Sequence, residues 1–183
     1  GACVLAGLDL GEALLAISNA EPVEGRFMRV QEGQDFLCII DFAHTGDALR
    51  RLIQSAREFT ARGGRVITVF GCGGDRDKAK RPVMGAAATE LSDQVIITSD
   101  NSRGESTDAI INDIVRGAGG GNYQVVPGRA EAISTAIALA RTGDTVLIAG
   151  KGHEDYQEAD GVRTEFSDIE KAREAIRLRG KVG

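Results

Sequence analysis

Arg65-Val-Ile-Thr-Val-Phe-Gly-Cys-Gly-Gly-Asp-Arg-Asp77 holds the first clue to the fold. Arg65–Phe70 reads as a strand, because Val66, Ile67, Val69 and Phe70 are apolar on both faces rather than alternating in and out. Gly71–Asp77 then turns on glycine and charge, and Arg81–Leu91 behind it has a helical pattern. A strand buried on both sides, followed by a polar turn and a helix, is one repeat of a parallel sheet.

The unit recurs in both directions. Upstream, Phe36–Phe42 is an apolar strand and Asp47–Ala61 an amphipathic helix with Leu49, Leu52, Ile53 and Ala56 on one face. Downstream come strand Gln94–Thr98, helix Thr107–Arg116, short strand Tyr123–Val126, helix Arg129–Arg141 and strand Thr145–Ala149. Helix Ser167–Arg179 closes the series, with Ser167 as its N-cap. Phe27–Val30 is a further strand, either paired with Phe36–Phe42 as a hairpin or simply preceding it. Val4–Ala20 has roughly helical spacing, and Glu21–Gly25 reads as a linker. The expected fold is α/β: a Rossmann-like, mostly parallel sheet with helices on both faces.

Bulk properties narrow the function classes. The chain has 183 residues, 42% of them hydrophobic, which suits one ordinary domain with an attachment. A net charge of −5 and 4% aromatic residues give little support to nucleic-acid binding. Cys3, Cys38 and Cys72 have neither zinc-site nor disulfide spacing, so a reducing cytoplasm is expected. There is no run of eighteen apolar residues, and membrane insertion is not expected. Nothing demands a partner subunit, and a monomer is expected.

The chemistry-bearing residues fall in the loops that follow the strands. These are Asp41-Phe-Ala-His-Thr-Gly-Asp47, Gly71–Asp77, Ser99-Asp-Asn-Ser-Arg-Gly-Glu105 and Gly150-Lys-Gly-His-Glu-Asp155. In a parallel sheet such loops emerge along one edge, at the carboxyl ends of the strands, where open α/β sheets bind ligands. Arg76 and Arg103 are planar forks suited to carboxylates or phosphates. Asp75, Asp100, Glu154 and Asp155 can accept from ammonium groups, and Asn101 both donates and accepts. Mixed charge suits a zwitterion, of which an amino acid is the simplest. Taken singly, each feature has an ordinary reading. Gly71–Gly74 can be a plain turn, and His44 and His153 can be solvated. Lys78, Lys80 and Arg81 read as a solvated helix start, and Arg50, Arg51 and Arg57 as an exposed helix face. The convergence of four loops argues for a site. There is no GxGxxG or Walker A loop, which disfavours a nucleotide-linked dehydrogenase.

The strings themselves resemble the Mur ligases, the ATP-dependent enzymes that build the peptidoglycan peptide. Gly71-Cys-Gly-Gly-Asp-Arg-Asp-Lys-Ala-Lys-Arg-Pro-Val-Met-Gly85, Ser99-Asp-Asn-Ser-Arg103 and Ala149-Gly-Lys-Gly-His-Glu-Asp-Tyr-Gln157 resemble three signatures of the tripeptide-forming branch. Asp41-Phe-Ala-His-Thr-Gly-Asp-Ala-Leu49 and Gly25-Arg-Phe-Met-Arg-Val30 are similar to two more. The resemblance implies that residues 25–183 are the C-terminal, amino-acid-binding domain, and that residues 1–24 are a short helical remnant of the central ATPase domain with its linker. It implies ATP contacts at Arg26, Asp41 and His44. It also implies that Arg76, Asn101, Arg103, Gly150 and Glu154 hold the incoming amino acid. No catalytic residue and no metal ligand is expected in this chain; the cofactors implied are ATP and Mg2+, bound mainly by the central domain. The substrates implied are meso-diaminopimelate and UDP-N-acetylmuramoyl-L-alanyl-D-glutamate. The family's Asp-Asn-Pro-Arg motif marks diaminopimelate addition, because an arginine can pair with the second carboxylate that lysine lacks. A lysine-adding ligase and a stand-alone amino-acid- or nucleotide-binding module are the alternatives. Ser102, Gly46, Phe42, Met28 and Ala79 depart from the family strings without deleting a binding residue. Without a Gly-x-x-Gly-Lys-Thr/Ser loop, the chain alone is not expected to ligate.

Overall fold

The computed structural model describes residues 25–180. The helix expected over Val4–Ala20, nearly all of its linker and the domain assignment of residues 1–24 lie outside the described residues.

Strands β1 (Met28–Val30), β2 (Leu37–Asp41), β3 (Val66–Phe70), β4 (Gln94–Ile97), β5 (Tyr123–Val125) and β6 (Thr145–Ala149) form one sheet. Their order is β1-β2-β6-β3-β4-β5. From β2 to β5 every pairing is parallel; β1 lies antiparallel to β2, with Met28 opposite Ile40. The alternative left open for Phe27–Val30 therefore resolves to an antiparallel pair at the sheet edge.

Helices α1 (Gly46–Phe59), α2 (Lys80–Leu91), α3 (Thr107–Val115), α4 (Arg129–Leu139) and α5 (Asp168–Gly180) cover the sheet. Alternate strand residues feed two cores. Ile39, Val66, Phe70, Val95, Ile97 and Leu147 pack under α1, α2 and α3. Cys38, Ile40, Ile67, Val69, Ile96, Val146 and Ile148 pack under α4 and α5. Each fully buried aliphatic side chain contributes roughly 1.5–3 kcal/mol relative to exposure. The residues of β3 and β6 are buried throughout, which gives the loops at their carboxyl ends a rigid base.

Local signals explain the helix limits. Thr45 Oγ1 accepts from the Ala48 amide at 3.3 Å, capping α1, and Asp47 and Arg57 sit at the ends their charges favour. Ser167 Oγ accepts from the Glu170 amide at 3.4 Å, as expected of the cap of α5.

Two expectations need correction. Strands β7 (Tyr156–Ala159) and β8 (Val162–Glu165) form a separate two-stranded hairpin where no strands were expected. They are half-buried or exposed along their length, so they carry no apolar pattern. Arg81 is not a solvated residue at a helix start; it is 0% exposed. It pairs with Glu105 and Asp113, each at 2.9 Å, which offsets the cost of burying its charge. Lys78 and Lys80 are exposed and half-buried respectively. Arg50, Arg51 and Arg57 do lie on an accessible face of α1, where Arg50 and Arg57 reach Glu90 and Asp93.

Candidate functional site

The four loops following β2, β3, β4 and β6 meet at one edge of the sheet around a cleft of about 420 Å³. His44, Arg76, Asn101, Arg103, Gly150 and Glu154 all line it. Phe42, Thr45, Gly73, Asp77, Lys80 and Asp100 complete the wall.

Beneath the cleft is a buried cation. Lys151 is 0% exposed, and its ammonium donates to Asn101 Oδ1 at 2.7 Å and to the Tyr156 carbonyl at 2.8 Å. Asp100 and Glu154 lie 3.4 and 3.7 Å from it. An ammonium only donates, so Lys151 fixes the Asn101 amide with its oxygen inward. The amide nitrogen then donates to Glu154 Oε2 at 2.9 Å. Burial pulls Lys151 below the usual lysine range, against the opposing pull of Asp100. Burial alone would raise the Asp100 carboxyl, but Arg129, Lys151 and the Asn101 amide hold it below the usual carboxylate range.

The arginines are placed differently. Arg103 Nη1 donates to the Gly74 carbonyl at 2.9 Å and to the Asn101 carbonyl at 3.3 Å. Arg76 makes one long bond, 3.3 Å, to the Asp75 carbonyl. Among the described residues neither guanidinium is paired with a carboxylate. Both pass Gly73: a β-carbon there would stand 2.9 Å from Arg103 Nη1 and 3.9 Å from Arg76 Cγ. Asn101 thus stands between an uncommitted cation, Arg103, and an anion, Glu154. Gly150 adopts φ +120°, and a β-carbon on it would meet Asp100 Oδ2 at 2.8 Å.

The structure does not bring Arg26 and Asp41 into the cleft wall. The carboxylate of Asp41 accepts from the Phe27 amide at 2.7 Å and the Ala43 amide at 2.8 Å, so it shapes its own loop. The Arg26 guanidinium lies 5.6 Å from the centroid of the Phe42 ring, and the His44 ring packs edge-on to the same ring at 4.8 Å. Of the acidic residues read as acceptors for ammonium groups, Asp75 instead accepts from the Gly104 amide at 3.0 Å, and Asp155 is exposed outside the cleft wall.

Sequence reasoning missed Lys151 and Arg129 as parts of this site. Arg129 is 2% exposed and grips Asp168 through two bonds of 2.7 Å. It also donates to the Ser99 and Ala149 carbonyls, both at 3.1 Å, where the cleft-lining loops leave β4 and β6. A charged residue at the start of a helix gave no sign of this, because burial comes from Asp168, which lies 39 residues away in sequence. Some departures from the family strings have structural counterparts. The Ser102 carbonyl accepts from the Glu105 amide at 2.9 Å, so the turn forms without a proline. The Val83 methyl lies 2.7 Å from where a side chain at Gly46 would begin. Nothing in the structure explains Ala79.

Among the described residues no group of three or more His, Cys, Asp or Glu side chains is arranged to hold a metal ion. No described helix is long and apolar enough to cross a membrane.

A family model described as Mur ligase, glutamate ligase domain, matches residues 25–152. A curated UDP-N-acetylmuramoyl-L-alanyl-D-glutamate--2,6-diaminopimelate ligase from Parabacteroides distasonis is 48% identical over 177 residues, covering 95% of this chain and 36% of the relative. The ligase of the same name from Syntrophomonas wolfei is 49% identical over 179 residues, covering 96% of this chain and 36% of the relative. A solved structure under that name superposes with a TM-score of 0.80 at 38% identity, covering 98% of this chain and 37% of its own. A UDP-N-acetylmuramate-alanine ligase from Thermotoga maritima, at 20% identity and a TM-score of 0.62, covers 99% of this chain and 36% of its own, and shares the fold. The chain spans about a third of the length of the curated relatives it matches. On the family match and these identities, the chain belongs to the Mur ligase family.

Proposed function

We propose that this chain binds meso-diaminopimelate and presents its amine for ATP-dependent ligation to UDP-N-acetylmuramoyl-L-alanyl-D-glutamate. The observation that carries the reading is the pair of arginines, Arg76 and Arg103, that have no carboxylate partner among the described residues and share a cleft with Glu154 and Asp100. Diaminopimelate has a carboxylate and an ammonium at each end. Arg103 takes the distal carboxylate, Arg76 the proximal one, and Glu154, oriented by Asn101 and Lys151, accepts from an ammonium. Charge-assisted bonds of this kind contribute roughly 1.5–3 kcal/mol each. The Parabacteroides distasonis and Syntrophomonas wolfei relatives, both named as 2,6-diaminopimelate ligases, support this substrate.

In the ligation, the terminal glutamate carboxylate of the nucleotide substrate would take up the terminal phosphoryl group of ATP, with ADP leaving. The amine nitrogen would attack the acyl carbon, the carbon–oxygen bond to phosphate would break, and the proton lost by the amine would pass to solvent as phosphate leaves. This chain's part is aim. Holding the amine at the acyl carbon is worth about 7–11 kcal/mol in well-oriented intramolecular reactions. For ATP, Arg26 and His44 around Phe42 fit a contact from one side, with Asp41 holding their loop. For magnesium the described residues do not fit. Asp100 and Glu154 are engaged by Lys151, and no group of three or more His, Cys, Asp or Glu side chains among the described residues is arranged to hold the ion.

Titration calorimetry with meso-diaminopimelate and with lysine tests the reading. Binding of diaminopimelate in preference to lysine, lost on Arg103→Ala, is expected. Equal affinity, or lysine preferred, contradicts the role given to Arg103.

A further inference from the structure

Arg103 is a non-glycine residue at φ +52°. Left-handed backbone of this kind costs an ordinary side chain roughly 1–2 kcal/mol and persists where neighbours hold it. The neighbours here belong to the β7–β8 hairpin. The Arg103 amide donates to the Glu158 carbonyl at 3.1 Å, and the Asp160 amide donates to the Arg103 carbonyl at 2.7 Å. Both backbone groups of the recognition arginine are therefore bonded to one hairpin.

The same hairpin reaches the rest of the recognition loop. The Glu158 amide donates to Asn101 Oδ1 at 3.0 Å, beside the Lys151 ammonium on that oxygen. Gln157 Nε2 donates to Ser99 Oγ at 2.9 Å. Lys151 itself bonds the Tyr156 carbonyl. Yet no residue of β7 or β8 lines the cleft. The hairpin is fixed at its tip by Asp160 and Gly161, at φ +51° and +74°, the conformation of a two-residue type I′ turn. Its carboxylate Glu158 pairs with Arg163 at 2.9 Å, so its charge is turned to its own partner strand and not to Arg103. Among the described residues the hairpin pairs with no strand of the main sheet; its single bridge runs from Ala159 to Arg103, in the loop after β4.

From this geometry we infer that the β7–β8 hairpin is the specificity-positioning element of the amino-acid site. It sets the direction in which Arg103 and Asn101 face the ligand without touching the ligand itself. The ligand's identity rests on the reading given above; the role of the hairpin in holding Arg103 does not.

The test uses the natural gene product that carries this chain, with two variants. Gly161→Val puts a β-branched residue at the left-handed turn position, where open space surrounds the β-carbon and only the backbone is strained. Gln157→Leu removes the side-chain tie to Ser99 and leaves the turn intact. Amide hydrogen exchange by NMR on the ligand-free protein is read first. Exchange of the Arg103 amide is expected to quicken by roughly tenfold in Gly161→Val, and less in Gln157→Leu, with core β3 amides unchanged. Affinity for meso-diaminopimelate is expected to fall by roughly tenfold while that for ATP stays level. Unchanged Arg103 exchange in both variants overturns the inference. So does loss of the whole fold in Gly161→Val, because a local device must leave the six-stranded sheet standing. Quickened exchange with undiminished affinity for diaminopimelate also overturns it. Wild-type protein that ignores diaminopimelate sinks the substrate reading alone, and Arg103 exchange then still decides the hairpin's role.

Discussion

At Arg103 the backbone and the side chain are held by different parts of the molecule. Its amide and carbonyl belong to the hairpin, while its guanidinium leans on the Gly74 and Asn101 carbonyls and keeps donors free. Removing the guanidinium should therefore cost ligand and little else. Arg103→Ala is expected to weaken diaminopimelate binding by about 1.5–3 kcal/mol, roughly ten- to a hundredfold, with melting temperature nearly unchanged. Arg103→Lys should recover only part of the loss, since an ammonium cannot make the paired fork. Calorimetry alongside thermal melts separates the two effects. Gly150 is the opposite case. Gly150→Ala drives a β-carbon against Asp100 Oδ2 at an unfavourable φ, and is expected to destabilise by about 1–3 kcal/mol while displacing the carboxylate below the cleft. Urea unfolding measures the first, ligand titration the second. Arg76, Asn101, Arg103 and Glu154 were readable from sequence because loop position alone places them at the sheet edge. Lys151 was not, since its burial depends on Asp100 and Asn101, about fifty residues away in the loop after β4, and on the Tyr156 carbonyl converging on it.

Between elements, the start of α2 is tied to the loop before α3 by Arg81 and Glu105. Arg81 donates to both Glu105 oxygens and to Asp113, and Glu105 also accepts from the Asp75 amide at 2.6 Å. This joins the loop carrying Arg76 to the loop carrying Arg103. Hydrogen bonds from Arg81 and Lys78 pull the Glu105 carboxyl from 4.5 down to about 2. A carboxylate lowered in the folded state stabilises fully above its unfolded value and loses that contribution as pH falls through its folded value. Glu105 should thus support the fold above pH 4.5 and progressively less toward pH 2. Glu105→Gln is expected to be less stable than wild type at pH 6, with the gap narrowing as pH falls toward 2. Denaturant titrations across that range check it; a gap independent of pH would contradict the assignment. The strands and helices of the main sheet were legible because their apolar residues repeat with the periods of buried strand and helix. The hairpin was not, as its strands are half-buried or exposed and lack such a period. Only Asp160-Gly161, a favoured pair for a tight hairpin turn, offered a signal.

At the scale of the molecule, the cleft depends on the sheet edge staying in register with the helices of the other face. Arg129 and Asp168 supply that connection, paired and buried at the starts of α4 and α5, with Arg129 also donating to the carbonyls where two of the cleft-lining loops begin. Arg129→Met leaves Asp168 charged and unpaired, and is expected to cost about 3–5 kcal/mol in chemical unfolding. Adding Asp168→Leu should restore much of that stability, yet leave ligand binding impaired, because the Ser99 and Ala149 carbonyls lose their donor. The layered sheet was legible from the alternation of apolar strands and amphipathic helices along the chain, and so was the edge that carries the candidate site. The ion pair that locks the layers was not, since it joins residues that have no local relation in the chain. The most direct measurement is a crystal structure with meso-diaminopimelate bound. The account predicts one ligand carboxylate within hydrogen-bonding distance of the Arg103 guanidinium and a ligand ammonium against Glu154. A ligand bound elsewhere, or lying in the cleft with Arg103 turned away from it, would contradict it.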